Sequence, residues 1–107
     1  MQYDVIIAGG GMVGSTLACL LGQAGKRVAV LEAHEPPPFQ PDDAYDLRVS
    51  AISRASQRAL NEAGAWQGVV ARRARPYEAM FVWDGTGDGQ IRFDSADLGE
   101  ADLGHIV

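Results

Sequence analysis

Three glycines at a fixed interval constrain this chain more than anything else in it. Gly9, Gly11 and Gly14 make a G-x-G-x-x-G turn directly after the apolar run Val5-Ile6-Ile7-Ala8, and Glu32 closes a second apolar run 18 residues after Gly14. Strand, glycine turn, helix, strand and acid, in that order, describe a βαβ unit whose helix N-terminus can hold a diphosphate while the acid reaches a ribose. Each glycine answers its own demand: Gly9 the tight turn, Gly11 the approach of a pyrophosphate to the backbone, Gly14 the packing of the helix on the first strand. Three such positions recur by chance, so the flanking residues matter. Ala18, Leu21, Gly25, Val28 and Val30 carry the pattern on to Glu32. Ala18 and Leu21 fall on the sheet-facing side of the helix, Gly25 ends it in a left-handed conformation, and Val28 and Val30 alternate in a buried strand.

The implied ligand is an adenine dinucleotide. A helix N-terminus offers unpaired N–H groups and about half a positive charge, which favours an anion by roughly 0.3–2 kcal/mol. Glu32 can accept hydrogen bonds from the ribose hydroxyls and would repel a 2′-phosphate, so NADP is disfavoured at this turn. FAD and NAD both remain, and residues 1–32 do not separate them.

The 107 residues, 47 % of them apolar, are enough for one small core. A dinucleotide-binding sheet needs further parallel strands, yet one clear βαβ unit is present, so the chain reads as the N-terminal piece of a longer protein. The closing residues Asp102 to Val107 carry neither a helix cap nor a polar tail. A formal charge of −5 argues against a nucleic-acid surface, and Arg72, Arg73 and Arg75 read as a solvated basic loop. Cys19 has no disulfide partner and sits in the apolar stretch Leu17 to Leu21, where it is expected to be a small buried hydrophobe. No metal-ligand set is present. The N-terminus lacks a basic region, and no apolar run approaches the roughly 18 to 20 residues of a membrane span, so a cytoplasmic protein is expected.

Along the chain, Tyr3 to Ala8 and Arg27 to Leu31 read as parallel strands flanking a helix from Met12 to Ala24. His34 to Asp46, with four prolines and three aspartates, reads as an extended, solvated loop with His34 on the surface. Order returns at Leu47 to Ile52, and Ser53 can cap a helix that runs to Ala63 and stops at Gly64, with Ala55, Ala59, Leu60 and Ala63 as its apolar face. Trp66 is expected to pack back on Leu60. From Tyr77 the period changes to two: Ala79, Phe81 and Trp83 alternate with Met80, Val82 and Asp84, and the turn Gly85 to Gly89 leads to Ile91-Arg92-Phe93. This is a β-hairpin in another layer. Its turn is not a calcium loop, because Thr86 and Ser95 stand where oxygen-rich and bidentate acidic ligands are needed.

The segment Asp46-Leu47-Arg48-Val49-Ser50-Ala51-Ile52-Ser53, followed by Ser56 to Leu60 and Gly64-Ala65-Trp66, resembles the ubiquinone-biosynthesis hydroxylases. These are FAD-dependent class A aromatic monooxygenases related in fold to p-hydroxybenzoate hydroxylase. The glycine motif with Glu32, the hairpin and the closing Leu103 to Val107 extend the resemblance over nearly the whole chain.

The resemblance implies an α/β fold: a Rossmann-like FAD-binding βαβ unit in residues 1–75 and the start of a substrate-domain β-sheet in residues 76–107, an incomplete fold. It implies that Gly9, Gly11, Met12, Val13 and Gly14 meet the FAD pyrophosphate, that Glu32 meets the adenosine ribose, and that Arg48 lies near the diphosphate or flavin. An ion pair with Asp42, Asp43 or Asp46 is the alternative for Arg48. The implied enzyme takes electrons from NAD(P)H and inserts one oxygen of dioxygen into an aromatic ring, with a polyprenylphenol as substrate. Attachment to the periphery of the inner membrane or to a biosynthetic complex is left open. Another FAD-dependent oxidoreductase, such as an amine or 2-hydroxy-acid oxidase, and a non-catalytic nucleotide-binding module are the alternatives. The later D-G and G-D motifs of the family do not occur here, and Asp84-Gly85 and Asp88-Gly89 do not replace them.

Overall fold

The computed structural model describes residues 1–107. Strand β1 (Val5–Ala8), helix α1 (Met12–Gln23) and strand β2 (Val28–Leu31) form the expected unit, with β1 and β2 parallel and Val5 opposite Val28 through Ala8 opposite Leu31. Gly25, at φ +80°, stops α1 in the left-handed region as its position implied. Val5 and Ile7 turn toward α1, whereas Ile6 and Leu31 are 62 % and 60 % exposed, so α1 covers only one face of this two-stranded sheet. The strands are therefore half-covered rather than buried. Cys19, too, is exposed and not the buried hydrophobe expected, since it lies off the Gly14-Ala18-Leu21 face that meets the sheet.

Strand β3 (Ala51–Ser53) leads into helix α2 (Arg54–Glu62), whose N-cap Ser53 accepts a hydrogen bond from the Ser56 N–H. Gly64, at φ +80°, ends α2, and helix α3 (Trp66–Arg72) follows. Ile52, Leu60 and Trp66 form the buried core, with Ala65, Val69 and Val107 packed around it. Trp66 thus packs with Leu60 as expected, and its ring also meets His105 edge-on, centroids 5.1 Å apart. Ala55 is exposed and contributes nothing to this core, because α2 turns only its Leu60 side inward.

Sequence reading misses three elements here: α3, strand β4 (Arg75–Tyr77) and strand β7 (Gly104–Ile106). Strand β7 lies between β3 and β4 and is antiparallel to both, with Ile106 opposite Ala51 and Arg75. The arginine run is accordingly no loop, although Arg72 and Arg75 are exposed as expected. Arg72 ends α3, Arg73 caps it and Arg75 begins β4. This sheet also crosses residue 76, since β4 straddles that point and β7 returns to β3.

Strands β5 (Ala79–Trp83) and β6 (Gln90–Asp94) make the expected hairpin as a separate antiparallel sheet. Its turn is held by Asp84, whose carboxylate accepts from the Thr86 N–H at 3.0 Å. A short 3-10 turn (Ser95–Leu98) follows, and Arg54 then ties the approach to β7: its Nε donates to the Asp102 carbonyl at 2.9 Å and its guanidinium pairs with Glu100 at 2.8 Å. The three sheets share no common core. Only 5 of 107 residues are buried, and the radius of gyration of 17.3 Å exceeds the roughly 13 Å of a compact domain of this length.

Candidate dinucleotide-binding site

The glycine turn joins the C-terminal end of β1 to the N-terminus of α1, and its backbone is set by two hydrogen bonds and one positive-φ residue. The Gly9 N–H donates to the Leu31 carbonyl at 2.7 Å, the Ser15 hydroxyl donates to the Gly10 carbonyl at 2.9 Å, and Gly9 itself has φ +106°, which favours glycine. A Cβ on Gly14 would stand 2.1 Å from the Gly9 carbonyl oxygen. Only a hydrogen fits between helix and turn. At Gly11 the same addition meets nothing within 4 Å, so the surface above the turn is open.

Gly11 is the N-cap of α1, and having no side chain it supplies no cap. The Ser15 N–H is the first in the helix to find a carbonyl, that of Gly11. The N–H groups of Met12, Val13 and Gly14 have no carbonyl partner within the helix, and at such a terminus an anion gains both hydrogen bonds and the field of the helix.

Glu32 follows β2 and lies beside this turn. Its Oε2 accepts from the Gly10 N–H at 2.6 Å and its Oε1 from the His34 N–H at 3.3 Å. The Gly10 hydrogen bond, with help from His34, holds the carboxyl below its ordinary value of 4.5, so it is a charged acceptor at neutral pH. A carboxylate has about four acceptor positions, which leaves room for the hydroxyls of a ribose. Sequence spacing brought Glu32 to the turn but did not reveal its bond to Gly10. The only available signal was the absence of a side chain at Gly10, where a Cβ would come within 3.3 Å of Glu32.

Arg48 is not gathered into this cluster. It lines an open cavity of about 1120 Å³ with Arg72, Arg73, Arg75, Phe39 and Tyr45, and no residue of the glycine turn borders that cavity. Nor does it pair with Asp42, Asp43 or Asp46, because the chain's ion pairs belong to Arg54 and Arg92 alone. The segment that follows Arg48 does approach the turn: Ser50, Ala51 and Ile52 share an apolar cleft of about 590 Å³ with Met12 and Val13. Bare N–H groups, an adjacent carboxylate and open space above Gly11 together fit a dinucleotide diphosphate and its ribose.

Comparison with known proteins agrees with that geometry. Residues 2–102 match the family model described as FAD binding domain. The chain is 42 % identical over 110 residues to the ubiquinone biosynthesis monooxygenase COQ6, mitochondrial, of Danio rerio, covering 98 % of this chain and 22 % of that protein. Its identity to the protein of the same name from Xenopus tropicalis is 43 % over 111 residues, with 98 % and 23 % covered. It is 42 % identical over 104 residues to the 3-demethoxyubiquinol 3-hydroxylase of Escherichia coli (strain K12), covering 97 % of this chain and 26 % of that protein. The chain thus spans about a quarter of the length of the curated relatives it matches. With a bare helix N-terminus, a braced acid and a family match over residues 2–102, the chain belongs to the FAD-binding-domain family.

Proposed function

We propose that this chain is the FAD-binding N-terminal portion of a flavin-dependent monooxygenase that hydroxylates an aromatic ring, a polyprenylphenol of ubiquinone biosynthesis. The observation that carries the reading is the uncapped N-terminus of α1 beside the ionised Glu32. The N–H groups of Gly11, Met12, Val13 and Gly14 would bind the pyrophosphate, Gly9 would shape the turn, and Glu32 would accept from the ribose hydroxyls. Arg48, which makes no ion pair, would lie near the diphosphate or the flavin. FAD, when bound, supplies the redox centre at which dioxygen is activated for insertion of one oxygen atom into an electron-rich ring. NAD(P)H is the proposed electron donor.

Residues 1–75 would belong to the cofactor domain and 76–107 to the start of a substrate-domain sheet, with the hairpin as its first strands. No helix is long and apolar enough to cross a membrane, and a prenylated substrate would call for peripheral contact with the inner membrane or with a biosynthetic complex. The reading is tested on the full-length protein. Purified material should carry FAD and, given a polyprenylphenol, NADH or NADPH and isotopically labelled dioxygen, should yield a product with one labelled oxygen. A protein that retains FAD yet transfers no labelled oxygen to any phenolic substrate would remove the monooxygenase assignment while keeping the cofactor site.

A further inference from the structure

Gly9-Gly10-Gly11 puts three glycines in a row, and such a run holds its peptide planes poorly, because glycine crosses between conformations that other residues avoid. The peptide between Gly10 and Gly11 matters most to an anion. In one orientation it presents the Gly11 N–H beside those of the first turn of α1; turned over, it would present the Gly10 carbonyl oxygen there instead. A glycine on each side makes that reversal sterically cheap.

What holds the peptide is Ser15. Its backbone N–H donates to the Gly11 carbonyl at 2.9 Å and its hydroxyl donates to the Gly10 carbonyl at 2.9 Å, so one residue draws two successive carbonyls toward the body of the helix. The Gly10 carbonyl has no other donor. No peptide bond is cis, and across a trans peptide the N–H points opposite to the C=O. The Gly11 N–H therefore points away from Ser15, and no carbonyl or side chain accepts from it. The hydroxyl thus adds one more aligned peptide to the N-terminal end of α1. The preceding peptide is held separately, its Gly10 N–H donating to Glu32 at 2.6 Å. Packing does not account for the hydroxyl either, since Ser15 is exposed while Gly14 and Ala18 lie on the half-buried side of the helix.

We propose that Ser15 is a positioning residue for the cofactor diphosphate: its hydroxyl locks the Gly10–Gly11 peptide with the N–H outward and keeps the turn in its anion-binding form. The inference rests on the dinucleotide reading above. Ser15 acts only through the Gly10 carbonyl, and any fraction of molecules with the peptide reversed subtracts directly from the apparent affinity.

Full-length protein is stripped of FAD, and its affinity is measured for FAD by quenching of flavin fluorescence and for ADP, which carries the diphosphate without the flavin, by competition. Ser15→Ala should weaken both about five- to tenfold, the loss expected for one hydrogen bond, at unchanged Tm of the stripped protein, because alanine suits an exposed helical position well. Ser15→Thr keeps the hydroxyl and should restore both affinities. Thr16→Val removes the neighbouring hydroxyl, which donates to the Met12 carbonyl at 2.7 Å, and should change neither. Wild type that binds both ligands while Ser15→Ala binds them equally well overturns the role of Ser15 and leaves the cofactor site standing. Weakening for FAD without weakening for ADP also overturns it, since the effect would then lie away from the diphosphate. So does a loss as large in Ser15→Thr or Thr16→Val as in Ser15→Ala, or a loss matched by a fall in Tm. Wild type that binds neither FAD nor ADP overturns the cofactor reading and this role together.

Discussion

Gly14 and Gly104 meet the same steric demand in two regions that do different work. A Cβ would come 2.1 Å from the Gly9 carbonyl oxygen in the first case and 2.2 Å from the Ile52 carbonyl oxygen in the second. Near Gly14 the first N–H groups of the helix have no side-chain cap, and the space at Gly11 is open. Around Gly104 it presses β7 against β3 beside the buried Ile52, Leu60 and Trp66. Tight packing by glycine is therefore no mark of a binding site. Uncapped N–H groups beside the Glu32 carboxylate are what set the first region apart.

The sharpest way to break this comparison is to give both glycines a methyl group in the full-length protein. Gly14→Ala and Gly104→Ala should each lower stability by about 3 kcal/mol, as overpacking against backbone does. Thermal unfolding would show a similar fall for both, whereas flavin absorbance of the folded fraction should drop for Gly14→Ala alone. Equal loss of flavin in the two variants would erase the distinction. Gly11→Val separates binding from packing more cleanly, since its side chain enters open space. It should weaken FAD binding about a hundredfold, or ~3 kcal/mol, at nearly unchanged Tm, and a normal flavin-to-protein absorbance ratio would contradict this.

Two smaller changes address the second region only. Arg54→Ala removes the contacts to Glu100 and Asp102 that tether the approach to β7, and should cost about 1–2 kcal/mol in urea unfolding with FAD content preserved. Ser53→Ala removes the N-cap of α2 and should cost about 1 kcal/mol, with Ser53→Asp restoring most of it. Flavin loss in either variant would mean that the two regions are coupled.

The smallest effect concerns acid. Glu32 has a depressed folded-state value, so its contribution is complete above the ordinary 4.5 and disappears as pH falls through the lower folded value. FAD retention should survive acidification to 4.5 and decline below it, and Glu32→Gln should flatten that decline. A decline centred above 4.5 would point to a different group.

What could be read in advance tracks how far apart in sequence the interacting residues lie. The βαβ unit and the place of Glu32 beside its turn were legible because Gly9, Gly14, Gly25 and Glu32 belong to one short stretch in which each position has a single steric or polar task. The same holds for the Ser53 cap and the Gly64 stop. Sheet β3–β7–β4 was not legible, since its partners Ala51 and Ile106 are distant and its strands have only three residues each, too few to show a period. Arg72 and Arg73 misled for a related reason. Alone they look solvated, and it is a remote loop, through the rings of Phe39 and Tyr45 and the carbonyls of Pro41 and Asp43, that holds them in place.

In the proposed site, the bond between Glu32 and the Gly10 N–H would tie the choice of cofactor to the rigidity of the turn. A protein of this kind could not change its preference to a ribose bearing a 2′-phosphate by one substitution at Glu32. Replacing the acid would relieve the repulsion and would also release the Gly10 N–H that it braces. An acceptor for that N–H would have to come from a second position, so any such change of specificity needs at least a pair of substitutions, the first of them harmful alone.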